Sequence, residues 1–247
     1  MIVMTERWVQ RELRFLRGYA VVMSLAAAVF LVAAVRASTS IVDFDTITVH
    51  RINVTDADGK TRLALFGKQW EPPIIIGGKT YAGRSGQQAA GLMFYNDQGD
   101  EIGGLIYGGA RTKGLAAQSQ SLTFDAYHQD QVVQLMQDQE GSARTAGLIV
   151  NDRPNVSIVK ALSVLDRFKG RSQKDLDAAY EKLAAAGDIG HPRLFVGTSH
   201  KKASVALKDK DGHTRLLLSV SASGVPRIEF LDATGKVVRT IMPKPKG

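Results

Sequence analysis

The chain has 247 residues, of which 44% are hydrophobic and 23% are charged, and its formal net charge is +8. This is the composition of a folded protein, which excludes a largely disordered chain. The absence of cysteine excludes disulfides, thiolate metal sites and a cysteine nucleophile. The basic residues are dispersed and are not interleaved with aromatic side chains, so nucleic acid is not expected as a partner.

An uncharged apolar stretch near the N-terminus, residues 18–35, predicts one transmembrane helix. At 1.5 Å per residue a helix of this length spans about 27 Å, close to the hydrocarbon thickness of about 30 Å. The predicted anchor residues are Arg17, Gly18 and Tyr19 at one end and Val35 and Arg36 at the other. A cleaved signal peptide is the alternative, although its apolar region is normally shorter and residues 1–17 form a long preceding arm.

The distribution of arginine predicts the orientation of this helix. Four arginines precede the apolar stretch, whereas Arg36 and Arg51 are the only basic residues over a comparable distance after it. By the positive-inside rule the N-terminal arm is cytoplasmic and the C-terminal bulk is periplasmic. The sequence thus predicts a single-pass protein of a bacterial inner membrane, with a linker at 36–43, an extracytoplasmic domain at 44–242 and a basic, proline-rich tail at 243–247.

The extracytoplasmic domain contains five copies of one pattern: alternating apolar residues, then Asp or Asn, two residues and Gly, then a second run. The apolar alternation predicts half-buried strands, while Asp or Asn starts a turn and Gly accepts the positive φ at which the chain reverses. The predicted turns lie at 56–59, 96–99, 138–141, 209–212 and 232–235. Because their spacing is uneven, we expect an irregular meander of antiparallel hairpins and a mainly β fold, not a solenoid or propeller. The pattern leaves the pairing of the strands open.

A helical insertion at about 160–187 accounts for the longest gap between the turns. Leu176, Tyr180 and Leu183 fall on one helical face, Ser172 suits the start of this helix, and Gly187 lies just past its end. Residues 84–86 and 110–120 are predicted to be loops.

Two pairs of carboxylates resemble fragments of calcium-binding loops; they are Asp56 with Asp58 and Asp209 with Asp211. The later ligands of an EF-hand are missing at the required spacing, so turn chemistry is the preferred interpretation and metal binding the alternative. The stretch that ends at Gly78 resembles a phosphate-binding loop, but Pro73 occupies the position of its first glycine, which argues against nucleotide binding.

The densest polar cluster consists of Asp125, Tyr127, His128 and Asp130. A histidine between two carboxylates is able to act in acid–base catalysis if the groups meet in a cleft. On a strand, however, alternate side chains point to opposite faces, so these residues are interpreted as an interaction surface. Lys244 and Lys246 of the tail are added to that surface. We expect no catalytic residue and no cofactor.

Four stretches carry a resemblance to a family: 44–54 just after the anchor, 91–99 with Gly103, Gly104 and Leu105, then 129–131, and 147–154. This arrangement resembles an uncharacterised family of bacterial single-pass membrane proteins with hairpin-rich domains, and the resemblance covers most of the chain. It implies the anchor and the β domain, and it brings no activity, cofactor or catalytic residue. The helix at 172–187 is a departure from that family.

The leading functional hypothesis is a non-catalytic accessory or scaffolding subunit of a larger bacterial membrane protein complex, for example a photosynthetic reaction-centre and antenna complex. The alanine-rich helix would pack closely against a partner helix in the bilayer, and the basic tail suits an acidic surface. Two alternatives stay open. One is an envelope ligand-binding or sensing module; the other is an envelope hydrolase, which would need His128 with Asp125 or Asp130 in a concave pocket.

Overall fold

The computed structural model describes residues 2–38, 43–81, 89–112, 114–168 and 170–243. The chain divides into two compact units, Met1–Thr48 and Val49–Gly247. The first contains a long helix, and the second contains a twelve-stranded antiparallel sheet with a small separate hairpin and two short helices in its described part. The predicted mainly β fold is confirmed. The predicted loop at 84–86 and the tail residues Lys244 and Lys246 lie outside the described residues.

Helix α1 spans Ile2–Ser38 as one continuous element. Within it, Arg7–Ala33 is long and apolar enough to cross a membrane, and none of its side chains is buried. The predicted anchor residues all belong to this helix; they are Arg17, Gly18, Tyr19, Val35 and Arg36. The length and composition of α1 suit a membrane anchor, and a signal sequence shares both features.

The second unit is built almost entirely from strands that follow one another in space as they do in the chain. The strands are β1 (Arg51–Thr55), β2 (Thr61–Phe66), β3 (Ile74–Ile76), β4 (Lys79–Tyr81), β5 (Ala90–Tyr95), β6 (Glu101–Thr112), β7 (Leu115–Asp125), β8 (Gln131–Glu140), β9 (Ala143–Asn151), β10 (Pro192–Ser199), β11 (Lys202–Lys208), β12 (Thr214–Val220), β13 (Pro226–Leu231) and β14 (Val237–Ile241). The large sheet has the order β1-β2-β5-β6-β7-β8-β9-β10-β11-β12-β13-β14, and β3 pairs with β4 alone.

Four of the five predicted turns have one common geometry. In each, the Gly amide donates to the carbonyl of the Asp or Asn three residues earlier at 2.9–3.1 Å, and the Gly φ lies between +81° and +85°. These glycines are Gly59, Gly99, Gly212 and Gly235. The fifth hairpin, β8–β9, is present, but its turn differs from the prediction: Asp138 lies inside β8, paired with Thr145, and the chain reverses at 141–142.

Two predictions about 110–130 are wrong. Residues 110–120 are not a loop, because β6 and β7 continue through most of them as a long hairpin. Of the predicted cluster only Asp125 lies on a strand, as the last residue of β7; the others lie in the turn between β7 and β8, where His128 adopts a φ of +52°. A histidine is uncommon in this conformation. Because no glycine occupies the left-handed position, the local sequence did not mark this turn.

Two further hairpins had no recognisable Asp-x-x-Gly signal. The β12–β13 turn begins at Ser221, whose hydroxyl accepts from the Val225 amide at 3.1 Å. The β10–β11 turn consists of His200 and Lys201, both with positive φ, as a two-residue hairpin requires. The two helices, α2 (Val159–Asp166) and α3 (Gln173–Ala185), connect β9 to β10. As predicted, Ser172 caps α3, accepting from the Asp175 amide.

The sheet buries little of its apolar surface. The buried cluster consists of Ala64, Phe66, Met93 and Tyr95, and Ile75 of β3 packs against it. Ala64 and Met93 are cross-strand neighbours, so they lie on the same side of the sheet. We call this side, against which β3 packs, the covered face. Successive side chains of a strand point to opposite sides, so Leu65 and Leu92, the chain neighbours of Ala64 and Met93, point the other way.

Candidate interaction surface

The other side of the sheet carries one unbroken row of aliphatic side chains, one from each of the twelve strands. We call it the central row, and its members are Ile52, Leu65, Leu92, Leu105, Leu122, Leu135, Leu148, Val196, Val205, Leu218, Ile228 and Ile241. Since neighbouring strands lie about 4.8 Å apart, the row extends over roughly 50 Å. None of its members is buried.

A second row runs beside the central row and is also mostly apolar. It consists of Val54, Leu63, Phe94, Gly103, Phe124, Val133, Val150, Leu194, Leu207, Leu216, Phe230 and Arg239. The two rows together are called the apolar face. Phe124, for example, keeps 51% of its surface exposed. Soluble monomers rarely expose an apolar patch larger than a few hundred Å², and larger ones mark interaction sites.

The apolar face is deficient in negative charge. Across the paired strand positions on this side of the sheet, the charged residues are Arg111, Arg144 and Arg239, and none is Asp or Glu. Arg111 and Arg144 lie towards the ends of their strands, and Arg239 lies on β14, the last strand of the sheet. The face is therefore apolar along its middle and basic at its margin.

At its C-terminal end, over β10–β14, the apolar face is concave. It forms an open trough of about 770 Å³, lined by five members of the central row among other residues. These five are Val196, Val205, Leu218, Ile228 and Ile241. A concave apolar surface of this size is the usual form of a binding site.

The predicted polar cluster lies on the side of the covered face. Its His128 binds Asp100, a buried residue that was not part of the predicted cluster. The Asp100 carboxylate is 1% exposed and accepts from the Gly78 amide at 3.0 Å and from Nε2 of His128 at 2.8 Å. Burial alone raises the pKa of Asp100, but the hydrogen bonds from Gly78, His128 and Gly77 outweigh it and hold that pKa below its ordinary value. Asp100 thus joins the β3–β4 hairpin and the turns before β6 and β8.

The four residues of the predicted cluster do not converge. Tyr127 stacks on the ring of His128 with their centroids 4.0 Å apart, and Asp130 lies 3.4 Å from Arg153. A cavity of about 220 Å³ lies beside the turn, lined by Asp125 and Asp130 among other residues. The structure pairs His128 with Asp100, which sequence reasoning had not associated with it because the two are far apart in the chain.

The predicted carboxylate pairs are engaged as turn residues. Asp209 accepts from the amides of Asp211 and His213, and Arg215 lies near its second oxygen. Side-chain oxygens or nitrogens of Asp209, Asp211 and His213 come within 4.8 Å of one another. Exposed acidic groups commonly come this close without an ion. The ammonium group of Lys210 already forms an ion pair with Asp211.

The carboxylates of the other predicted pair, Asp56 and Asp58, also bind neighbouring residues of the chain. Asp58 accepts from the amide and the ammonium group of Lys60, and Asp56 pairs with Arg62. Backbone and side-chain hydrogen bonds from Lys60 lower the pKa of Asp58. In both pairs the carboxylates therefore stabilise the turns in which they lie.

Sequence reasoning missed the apolar face. The alternation of apolar residues in each strand was visible, but it was interpreted as the side turned towards a core within the chain. The members of the two rows are aligned by strand register, which one sequence does not reveal.

Comparison with known proteins adds no assignment. No protein-family model, no curated protein and no solved structure matches this chain. The resemblance to an uncharacterised single-pass family therefore stays a prediction.

Proposed function

We propose that this protein is a non-catalytic, membrane-anchored accessory subunit of a larger membrane protein complex, and that its apolar face binds a partner subunit. The observation that carries the proposal is the central row, which is aliphatic at all twelve positions and buried at none. An apolar face of this extent needs a cover, because water is excluded from such surfaces in stable proteins.

The free energy of covering the face indicates how much of it the partner must contact. Six members of the central row are exposed, at 37–55% of their surface. Full burial of one such side chain contributes about 1.5–3 kcal/mol, so covering what remains of these six contributes roughly 4–8 kcal/mol. Association costs about 4–15 kcal/mol. A stable interface therefore includes the second row as well.

The proposed membrane arrangement is a cytoplasmic N-terminus, one transmembrane pass through α1 and a periplasmic sheet. It is supported by the length and composition of α1 and by the four arginines before the apolar stretch. A photosynthetic reaction-centre and antenna complex is one candidate assembly.

Single-cysteine labelling tests the arrangement, because the natural chain has no cysteine. Gln98→Cys should react with a membrane-impermeant maleimide in spheroplasts, whereas Gln10→Cys should react only after permeabilisation. The reverse pattern would invert the orientation. Loss of residue 10 from the mature protein would show that α1 is a cleaved signal sequence.

Purification of the tagged full-length chain from its native membrane in a mild detergent, with mass spectrometry of bound proteins, tests the subunit role. The wild-type chain should retain a stoichiometric partner that Leu135→Asp loses. Leu115→Asp is the matched control, since Leu115 is exposed to a similar degree but points away from the apolar face. Recovery of a lone wild-type protein would refute the proposed function.

A further inference from the structure

The large sheet has two open edges, at β1 and at β14. In the described part of the chain each of these strands pairs on one side only, β1 with β2 and β14 with β13. Nearly all of β1 and the whole of β14 are exposed. An open edge carries unpaired backbone groups that are a template for another strand, and natural edges are usually blocked by lysine, proline or a bulge.

Neither edge is blocked in this way. Both strands lack lysine and proline. Each hairpin has a register shift, between Val54 and Thr55 in β1–β2 and between Phe230 and Leu231 in β13–β14. The same shift occurs beside the turns of the interior hairpins β5–β6 and β11–β12. The shift therefore belongs to the turn and does not protect the edge.

We infer that copies of this protein pair edge to edge in the membrane, with β14 of one copy against β1 of the next; we call this contact the junction. The inference goes beyond the proposed function, with which it shares only the membrane anchor that gives every copy one orientation. The large sheet has an even number of antiparallel strands, so β1 and β14 run in opposite directions. Two copies in the same orientation therefore meet with antiparallel edges, which are able to form a hydrogen-bonded ladder.

The outward backbone groups of β1 are those of Arg51, Asn53 and Thr55. Along a strand the amide and carbonyl groups of successive residues point alternately to its two sides. The His50 carbonyl accepts from the Gly67 amide at 2.9 Å, next to the end of β2. The groups of every second residue from His50 onward therefore point towards β2, and those between them point away from the sheet.

The backbone groups of Thr240 point outward from β14. The Asp232 amide donates to the Lys236 carbonyl at 3.0 Å, so every second residue of β13 back from Asp232 directs its groups to β14, including Ile228. Ile228 pairs with Ile241, whose groups therefore point back to β13. Thr240, the chain neighbour of Ile241, then has its groups on the open side.

Placing Asn53 opposite Thr240 satisfies both edges. The two residues then exchange two backbone hydrogen bonds, as paired positions of an antiparallel ladder do. In this register Ile52 lies opposite Ile241, the two end members of the central row, so the row of one copy continues into the next. The single arginine of each edge strand lies opposite an uncharged residue, so no like charges meet.

Head-to-tail pairing covers both edges of every copy inside a row of copies. Pairing of two identical edges joins two copies and leaves the other edge of each open. A head-to-tail contact also repeats, so it generates a ring or an open row of more than two copies. We therefore expect multimers rather than a dimer alone.

Two single-cysteine variants test the junction, because the natural chain has no cysteine. Asn53→Cys places a thiol on β1 and Thr240→Cys places one on β14. Hydrogen-bonded partners of a ladder have Cα atoms about 5.5 Å apart, which suits a disulfide. In native membranes treated with a mild oxidant, the two full-length variants expressed together should give at least tenfold more disulfide-linked dimer than either alone. The double variant should give trimers and larger species.

Gln98→Cys is the control for random collision, since Gln98 is exposed in a turn away from both edges. Expressed with Asn53→Cys, it should give at least tenfold less dimer than Thr240→Cys does. Equal cross-linking would overturn the inference. So would dimers formed by Asn53→Cys alone or by Thr240→Cys alone, which would show pairing of identical edges, or a double variant that cross-links only within one chain.

A second pair of variants tests the backbone hydrogen bonds. Thr240→Pro removes the outward amide, which an open edge tolerates, whereas Thr240→Ala removes the same side chain and keeps the amide. Native mass spectrometry of the full-length protein in a mild detergent should show a multimer fraction at least tenfold lower for Thr240→Pro than for Thr240→Ala. Equal fractions would overturn the inference.

The native complex separates the junction from the proposed function. If a partner is recovered but the paired cysteines do not cross-link, the junction fails and the subunit role stands. If the cysteines cross-link but no partner is recovered, the subunit role fails and the junction stands.

Discussion

Replacing Asp100 by alanine tests whether one buried carboxylate holds the β3–β4 hairpin and the β7–β8 turn together. The change leaves the Gly78 amide and Nε2 of His128 facing a cavity without their acceptor. Hydrogen bonds to charged groups contribute about 1.5–3 kcal/mol each. Because His128 is 26% exposed and recovers part of its hydration, we expect a loss of about 3 kcal/mol rather than the full sum.

Thermal unfolding of the full-length protein in nanodiscs measures this loss. For a domain of 150–250 residues, 1 kcal/mol lowers Tm by about 2–4 °C, so Asp100→Ala should lower it by roughly 6–12 °C. Trp70 stacks on His50 with ring centroids 5.3 Å apart, and its fluorescence reports on the folded sheet unit.

Asp97→Ala is the matched control, because Asp97 belongs to the same turn but its side chain is 96% exposed. Its ion pair with Arg62 is a surface pair, and such pairs contribute about 0–1 kcal/mol. Equal shifts in Tm for Asp97→Ala and Asp100→Ala would refute the reasoning. A double-mutant cycle with His128→Ala then isolates the bond between His128 and Asp100; strict additivity would show that this bond contributes nothing.

Three further predictions concern the sheet unit. Because the pKa of Asp100 is lowered in the folded state, Asp100 contributes stability above the unfolded pKa of about 3.9 and loses that contribution as the pH falls below it. The drop in Tm caused by Asp100→Ala should therefore shrink below pH 4, and an unchanged drop at pH 3 would contradict this. Phe66→Ala removes a core side chain that is 2% exposed and should lower the free energy of unfolding in denaturant by about 3–5 kcal/mol. Phe124→Ala, on the apolar face, should lower it by under about 1 kcal/mol, and a similar loss for both variants would show that the apolar face is already covered. A Cβ at Gly147 would lie 2.6 Å from the carbonyl oxygen of Val196, so Gly147→Ala should cost about 1–3 kcal/mol, while Gly108→Ala, which meets open space, should be near neutral.

Elements with local causes were predictable from the amino-acid sequence. The apolar composition of 18–35 fixes a helix, and the Asp or Asn and Gly pairs fix four turns because each needs only its own backbone and one residue at positive φ. Ser172 and Gly187 likewise mark the ends of α3 through contacts within a few residues.

Turns without those residues were missed for the same reason. At 126–130 the left-handed position is taken by His128, which Asp100 holds from another turn, and this distant partner is invisible in the local sequence. At 138–141 the local signal was present, but pairing with β9 extends β8 past Asp138 and moves the reversal to 141–142.

Which side of the strands packs against the rest of the chain depends on how distant segments come together, and it was not predictable from the sequence. Alternation within a strand specifies two faces, and it does not say which face meets the rest of the chain. The strands pair in chain order with their aliphatic residues in register, and β3 packs against the other face of the sheet. The described residues therefore leave the central row unburied. The sequence did not reveal this face, because cross-strand register is a property of pairs of segments and not of any one of them.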